Sequence, residues 1–319
     1  MCRKVLQCNE RGNMKIFVLA PKEDWICDRL VTEFTGEFKK YCVDNPNDAD
    51  IIWLLAGWCW NHLPLSILKN KKIIVTEHHI VPEKFNQQKY ENFLIRDQFV
   101  DCYHVPNKKT EFFLKQLTKK KIKVISYWLN DKLWTSENKQ DTRKKLGLDN
   151  NKFYIGSFQR DTEGNDLITP KLEKGPDIFC NYLEKHKDKF ENLHVLLGGW
   201  RRQYVQKRLE KANIPYTLFE KTSLEKIKYL YNCLDLYIVS SRYEGGPQAV
   251  IEAANMKIPI ISTDVGIVSN ILSKNCVIDL EKDYYLPNEK DIEENYKNVQ
   301  KIKLSNYGNN FIDLFKEVL

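Results

Sequence analysis

This 319-residue sequence has no long hydrophobic run, no metal-type cysteine spacing and no segment that reads as a signal peptide. Its longest apolar stretch, IIWLLAGWCW at 51–60, is half the length of about 20 residues that spans a bilayer, so it reads as a buried strand entering a loop. Nine cysteines, an odd number, run from Cys2 to Cys276 without a C-x-x-C or a His at ligand spacing. That excludes a zinc module and a disulfide scaffold and favours reduced thiols in the cytoplasm. The first residues, MCRKVLQCNERGN, carry no apolar core of a signal peptide. No solenoid repeat, low-complexity tract or nucleic-acid-binding module is visible, nor any Asp/His cluster of metal type.

The composition supplies the material for two folded cores. Apolar residues make up 42% and aromatics 12%, and the length suits two domains. Charged residues, at 29%, argue against a membrane bundle. The formal charge of +7 is unevenly placed: residues 1–150 hold 26 basic and 19 acidic side chains, whereas residues 151–319 hold 24 of each. If the halves are separate domains, the first meets something acidic, whether nucleic acid, anionic lipid or an anionic substrate, and the second recognises its ligand some other way.

Short β-rich runs alternate with longer amphipathic ones, the pattern of a parallel sheet wrapped by helices. Strands are predicted at 14–20, 50–56, 72–76, 99–104 and 122–126, with helices near 24–40, 62–69, 84–96 and 107–120. After the polar stretch 131–150, the rhythm resumes with strands at 152–157, 193–198, 215–219, 235–240 and 258–262, and a short one at 276–279. Helices follow near 174–189, 201–212, 223–232, 247–256, 265–273, 289–304 and 308–318. The reading is α/β: a Rossmann-like domain over 1–130, a linker over 131–150, a second such domain over 151–295, and a terminal helix over 296–319 that packs back on the first. Two doubly wound halves place a ligand crevice at the carboxyl ends of their strands.

The most informative stretch is SSRYEGGPQAVIEAANMKIPIISTDVG at 240–266. A strand ends at Ser240, a Gly-Gly turn follows, and Pro247 suits a first helical position. Glu244 thus lies at the strand edge and Glu252 further along the helix, about 7.5 Å from Pro247 at roughly 1.5 Å per residue. Two carboxylates so separated can meet two parts of one ligand. Gly245 and Gly246 let backbone N–H groups approach it, and the helix start favours a phosphate. The plainer alternative is a helix that starts with Gly-Pro and carries a capping acid.

The pattern S-x-x-E-G-x-P-x-x-x-x-E-A resembles the signature of the group 1 (family 4) glycosyltransferases, retaining enzymes with the GT-B fold. The resemblance implies that Glu244 hydrogen-bonds hydroxyls of the donor sugar and that Glu252 holds the nucleotide ribose. It also implies an Arg and a Lys on the donor diphosphate, in the form G-R-x-x-x-x-K-G. Here the pattern is stretched: YIGSFQRDTEGNDLITPKLEKGPDIF puts Arg160 late and Lys174-Gly175 after a long insertion, with Lys171 a competing candidate. Fixed cations stabilise the charge that grows on a leaving diphosphate, so no metal cofactor is expected. By the same resemblance the backbone at Leu218, Phe219 and Glu220 reads the nucleobase. Gly198 and Gly199 form a turn that admits the ligand or is an ordinary turn. Arg242 either approaches the donor or is a surface group.

The N-terminal half is matched in outline. Strand KIIVT runs into Glu77, His78 and His79, and Thr76-x-His78 fits the family's placement of a His near the donor sugar or acceptor; His79 is the alternate. His104 reads as a packed residue. The first loop, APKEDWICDR, lacks the family's Gly-rich turn, and Trp25, Trp58 and Trp60 offer an aromatic platform for a sugar ring or core packing. Residues 107–123 hold seven lysines against Glu111. A helix there would bury Phe112, Phe113 and Leu117 and present Lys108, Lys115 and Lys119 to solvent or to anionic lipid. The implied partners are a nucleotide-sugar donor and a glycan or lipid-linked acceptor, with no nucleic acid. The implied location is cytoplasmic, or peripheral at a membrane. A nucleotide-sugar epimerase and a non-catalytic nucleotide-sugar-binding protein are the alternatives.

Overall fold

The computed structural model describes residues 14–23, 26–164 and 166–319. Trp25, Cys2, Cys8 and the start of the chain read for a signal peptide lie outside the described residues.

Ten parallel strands form two sheets. The first contains β1 (Ile16–Leu19), β2 (Ile51–Leu54), β3 (Lys72–Thr76), β4 (Cys102–Val105) and β5 (Lys121–Val124), in that order. A single parallel bridge from Cys42 to Ile16 adds a residue of pairing beyond β1. The direction of winding therefore reverses at β1. Helix Ile26–Glu37 covers one face, through Leu30 and Phe34 against Trp53. Helices Leu65–Asn70, Gln87–Asp97 and Lys108–Leu114 cover the other, through Ile67, Phe93 and Leu114 against Ile52, Leu54 and Val75. Burial on both faces explains why IIWL and KIIVT are apolar without alternation.

The second sheet contains β6 (Phe153–Phe158), β7 (Leu193–Gly198), β8 (Tyr216–Phe219), β9 (Leu236–Val239) and β10 (Ile260–Ser262), in the order β10-β9-β6-β7-β8. Here the winding reverses at β6, so the crevice for a ligand opens between the carboxyl ends of β6 and β9. This is the α/β, GT-B architecture: two Rossmann-like sheets facing a cleft.

The chain crosses between the halves twice, and the two crossings are bonded to each other. Leu129 N donates to Ile302 O at 2.8 Å, and Leu304 N to Leu129 O at 2.9 Å. Beyond them, helix Asn309–Val318 lies on the first sheet. Its Phe311 and Phe315 rings sit 5.2 and 5.3 Å from Trp53.

Two predicted elements differ. The helix expected over 107–120 stops at Leu114. Thr110 and Leu114, four residues apart, take its buried face, which turns Phe112 outward to 64% exposure. In place of a strand at 276–279 there is a short turn Lys274–Cys276 and one bridge, Val277 to Ser262. Among the described residues no helix is long and apolar enough to cross a membrane. The seven described cysteines are unpaired.

Candidate active site

The long insertion after β6 is closed at its base. Thr162 bridges Pro170, and Lys171 N donates to Asp161 O at 2.6 Å. Arg202, wholly buried, donates to Asp161 Oδ2 at 2.8 Å, to Gly198 O at 2.7 Å and to Ser157 O. A buried ion pair is costly to desolvate, and the cost is offset here on the Arg202 side by the strand-end carbonyls and by Ser157 Oγ at 3.1 Å, while Asp161 Oδ1 has no hydrogen-bond partner among the described residues. The insertion is thereby clamped to the ends of β6 and β7.

The insertion returns at the turn Leu172–Lys174, and Gly175 follows at φ +59°. A Cβ there would overlap the Ser240 carbonyl, so only glycine lets this loop lie against the end of β9. Ser240 Oγ and Gln159 Nε2 donate to Lys174 O, at 3.3 and 3.0 Å. Backbone N–H groups of Arg242 and Tyr243 donate to Glu173 O at 2.9 and 3.1 Å. This stitching sets Lys174 Nζ 2.5 Å from Glu244 Oε1, with side-chain exposures of only 23% and 15%. Ser241 Oγ donates to the same oxygen at 3.0 Å. Burial would raise the Glu244 pKa, but the Lys174 charge and hydrogen bond, helped by His79 and Ser241, outweigh it and hold Glu244 ionised below its usual range.

The other cations lie alongside. Lys171 Nζ is 3.6 Å from Glu173 Oε1; burial, and then the nearby Lys174 charge, lower its pKa. Arg160 Nε donates to Thr162 O at 2.8 Å. Its pKa is lowered by burial and by the Arg201 charge. Arg242 is used structurally, donating to Leu172 O at 2.9 Å and pairing with Asp177 at 2.7 Å.

The N-terminal half meets this edge at Gly245. Its missing Cβ leaves room for the His78 carbonyl, and Asn107 Nδ2 donates to Gly245 O at 2.5 Å. Gly246 abuts the Tyr127 ring, and Pro247 caps helix Gln248–Asn255, one position before the first helical residue expected for it. The His78 ring is fully engaged within its own half: Nε2 donates to Leu55 O at 2.7 Å, and Nδ1 accepts from the Tyr127 hydroxyl. Burial lowers its pKa. His79 faces the cleft, where it lines a cavity of about 330 Å³ together with Tyr243, Glu244, Lys108, Lys109 and Phe112. Burial, opposed by Glu244 and aided by Lys174, takes the His79 pKa down to about 4, so the ring is neutral at pH 7. Trp58, 53% exposed, stands 5.9 Å from the His78 ring, whereas Trp60 stacks on Phe99.

Glu252 is buried and pairs across the cleft with Arg29 Nη2 at 2.5 Å. The same nitrogen donates to Gln248 Oε1 at 3.3 Å. Phe219 ends β8, and its carbonyl accepts from Gly199 N at 3.2 Å, with Gly199 at φ +102°. Among the described residues no group of three His, Cys, Asp or Glu is placed to hold a metal ion.

A single family pattern, glycosyl transferases group 1, matches residues 138–302, just over half of the chain. The chain belongs to this family. As a group 1 glycosyltransferase it also has named relatives. It is 24% identical over 143 residues to the lipopolysaccharide core biosynthesis mannosyltransferase LpsB of Rhizobium meliloti (strain 1021), covering 43% of this chain and 38% of that protein. It is 27% identical over 143 residues to the putative teichuronic acid biosynthesis glycosyltransferase TuaC of Bacillus subtilis (strain 168), covering 44% and 32%. The match thus spans less than two-fifths of either relative. In structure it resembles Anabaena Alr3699/HepE, solved in complex with UDP and glucose, at a TM-score of 0.75 and 12% identity over 95% of this chain and 100% of that one.

The pattern alone missed Arg29, Glu83, Lys84, Glu173 and Arg202. Only Glu173, beside Lys174, carried a local signal; the others act across 41 to 223 residues of sequence.

Proposed function

We propose that this group 1 glycosyltransferase moves a sugar from a nucleotide-diphosphate-sugar to a hydroxyl of a glycan or lipid-linked acceptor, retaining the anomeric configuration and using no metal. The observation that carries the reading is the Lys174–Glu244 pair, 2.5 Å apart at the point where the second sheet reverses its winding. Glu244, held ionised, accepts hydrogen bonds from donor-sugar hydroxyls. Lys174 and Arg160, with Lys171 beside them, stabilise the leaving diphosphate. Glu252 takes the ribose hydroxyls, and Phe219 and Gly199 border the base.

In this scheme the bond from the anomeric carbon to the phosphate oxygen breaks as the acceptor oxygen bonds on the same face. The acceptor's proton passes to the departing phosphate, so no protein base is needed. His79, neutral and facing the cavity, is the imidazole available to the sugars, and Trp58 and Phe112 are the exposed aromatic faces for an acceptor ring. The relatives named for lipopolysaccharide core and teichuronic acid synthesis support a glycan acceptor, and the likeness to HepE supports a UDP-sugar donor.

A thermal-shift screen of UDP-, GDP- and ADP-sugars tests the donor site. A ligand at 100 times its Kd adds about 2.7 kcal/mol of stability, so one base class is expected to raise the melting temperature by several degrees. No shift with any nucleotide-sugar at millimolar concentration would overturn the reading.

A further inference from the structure

Two consecutive residues of the N-terminal half, in the turn Pro82–Lys84, reach across the cleft. Lys84 Nζ donates to Glu173 Oε2 at 2.7 Å and also to Glu163. Tyr243 Oη donates to Glu83 Oε1 at 2.6 Å. Each gripped residue immediately precedes a member of the central pair, since Glu173 is followed by Lys174 and Tyr243 by Glu244. The gripped residues are also tied to each other, because Tyr243 N donates to Glu173 O at 3.1 Å.

Glu173 is the more consequential partner. Its carboxylate, 9% exposed, lies between Lys84 at 2.7 Å and Lys171 at 3.6 Å. Burial pushes its pKa up, but the hydrogen bond from Lys84, with other contributions, brings it below the usual range, so it is charged. Without Lys84, that charge would draw on Lys171 and Lys174, the cations wanted for a diphosphate. Lys84 therefore satisfies Glu173 from outside the donor site. The contact exists only while the halves are together, because Lys84 and Glu173 belong to different sheets.

We propose that Glu83 and Lys84 are positioning residues: closing the cleft seats them on Tyr243 and Glu173, which fixes the Lys174–Glu244 pair for transfer and sets Lys84, at 2.7 Å, closer to the Glu173 carboxylate than Lys171, at 3.6 Å. This rests on the transferase reading above. Both residues act through Glu163, Glu173 and Tyr243, so their effect falls on the rate of the closed complex more than on donor binding. A misplacement of about 1 Å at reacting groups costs up to roughly a hundredfold in rate.

The test is steady-state kinetics of the full chain with the nucleotide-sugar found by the binding screen, on wild type, K84M, K84R and Y243F, each checked by its melting temperature. K84M and Y243F are expected to lower kcat by roughly tenfold or more while donor KM moves by less than about threefold. K84R keeps the charge and restores most of the rate. Y243F removes one hydroxyl and so serves if K84M fails to fold. A K84M or Y243F enzyme with wild-type kcat, equal damage in K84M and K84R, or a loss confined to KM overturns the clasp and leaves the transferase reading standing. An inactive wild type overturns both.

Discussion

Gly175 shows how one atom's absence shapes the site. Its φ of +59° and the Ser240 carbonyl behind it leave no space for a methyl group. Left-handed backbone costs an L-residue roughly 1–2 kcal/mol before any overlap is counted. Gly175→Ala is therefore expected to lose at least about 2 kcal/mol in urea unfolding and to shift Lys174 away from Glu244; an unchanged midpoint would show that the loop has slack. The Glu244 motif and Lys174-Gly175 were legible because both sit in short stretches of recognisable spacing. The choice between His78 and His79 was not. They are neighbours at a strand end, and Tyr127 and Leu55 decide which ring is engaged and which faces the cleft. His104 was read as packed. It accepts from Thr76 Oγ1 at 2.9 Å and donates to Ile125 O at 2.7 Å, and Trp53 Nε1 donates to Thr76 Oγ1 at 2.9 Å, a closed chain that leaves His104 no free nitrogen. The Arg29 partner of Glu252 had no signal at all, being 223 residues away.

At the scale of elements, the buried strands announced themselves. KIIVT and LHVLLG form β3 and β7 at the boundaries expected, because a strand covered on both faces reads as a near-continuous apolar run. Helix ends were harder. Past Leu114, Thr118 turns its hydroxyl to Asp97 at 2.8 Å and accepts from Lys120 N at 3.1 Å, which breaks the helical run before β5 begins at Lys121. The terminal helix is held by aromatic packing. Phe315, fully buried, lies 6.0 Å from Phe34 and 5.3 Å from Trp53, both in T-shaped or tilted contact. Phe315→Ala is expected to cost about 3–5 kcal/mol in urea unfolding. A loss below about 1 kcal/mol would mean that the helix contributes little to the N-terminal half.

For the whole molecule, the basic excess of the first half acquires a structural explanation. Of the seven lysines in 107–123, Lys108 and Lys115 pair with Glu111, Lys109 with Asp264, and Lys121 and Lys123 with Glu317. Glu317 is on the terminal helix and Asp264 follows β10, so three of these lysines, Lys109, Lys121 and Lys123, tie the segment to the rest of the chain while Lys108 and Lys115 stay exposed on their own helix. The cleft itself is closed by pairs between halves, Arg29 with Glu252 and Lys84 with Glu173, which sequence spacing could not foretell. The two reversal points, at β1 and at β6, bring the strand-end loops of both sheets to one place. The most direct test of the account is the rate at which wild type and Glu244→Ala release nucleoside diphosphate from a nucleotide-sugar over a panel of glycan acceptors. The account predicts turnover by wild type and a loss of about a hundredfold or more in the variant, which still unfolds in a cooperative thermal transition. Equal rates in the two proteins, or no turnover by wild type with any donor it binds, would contradict it.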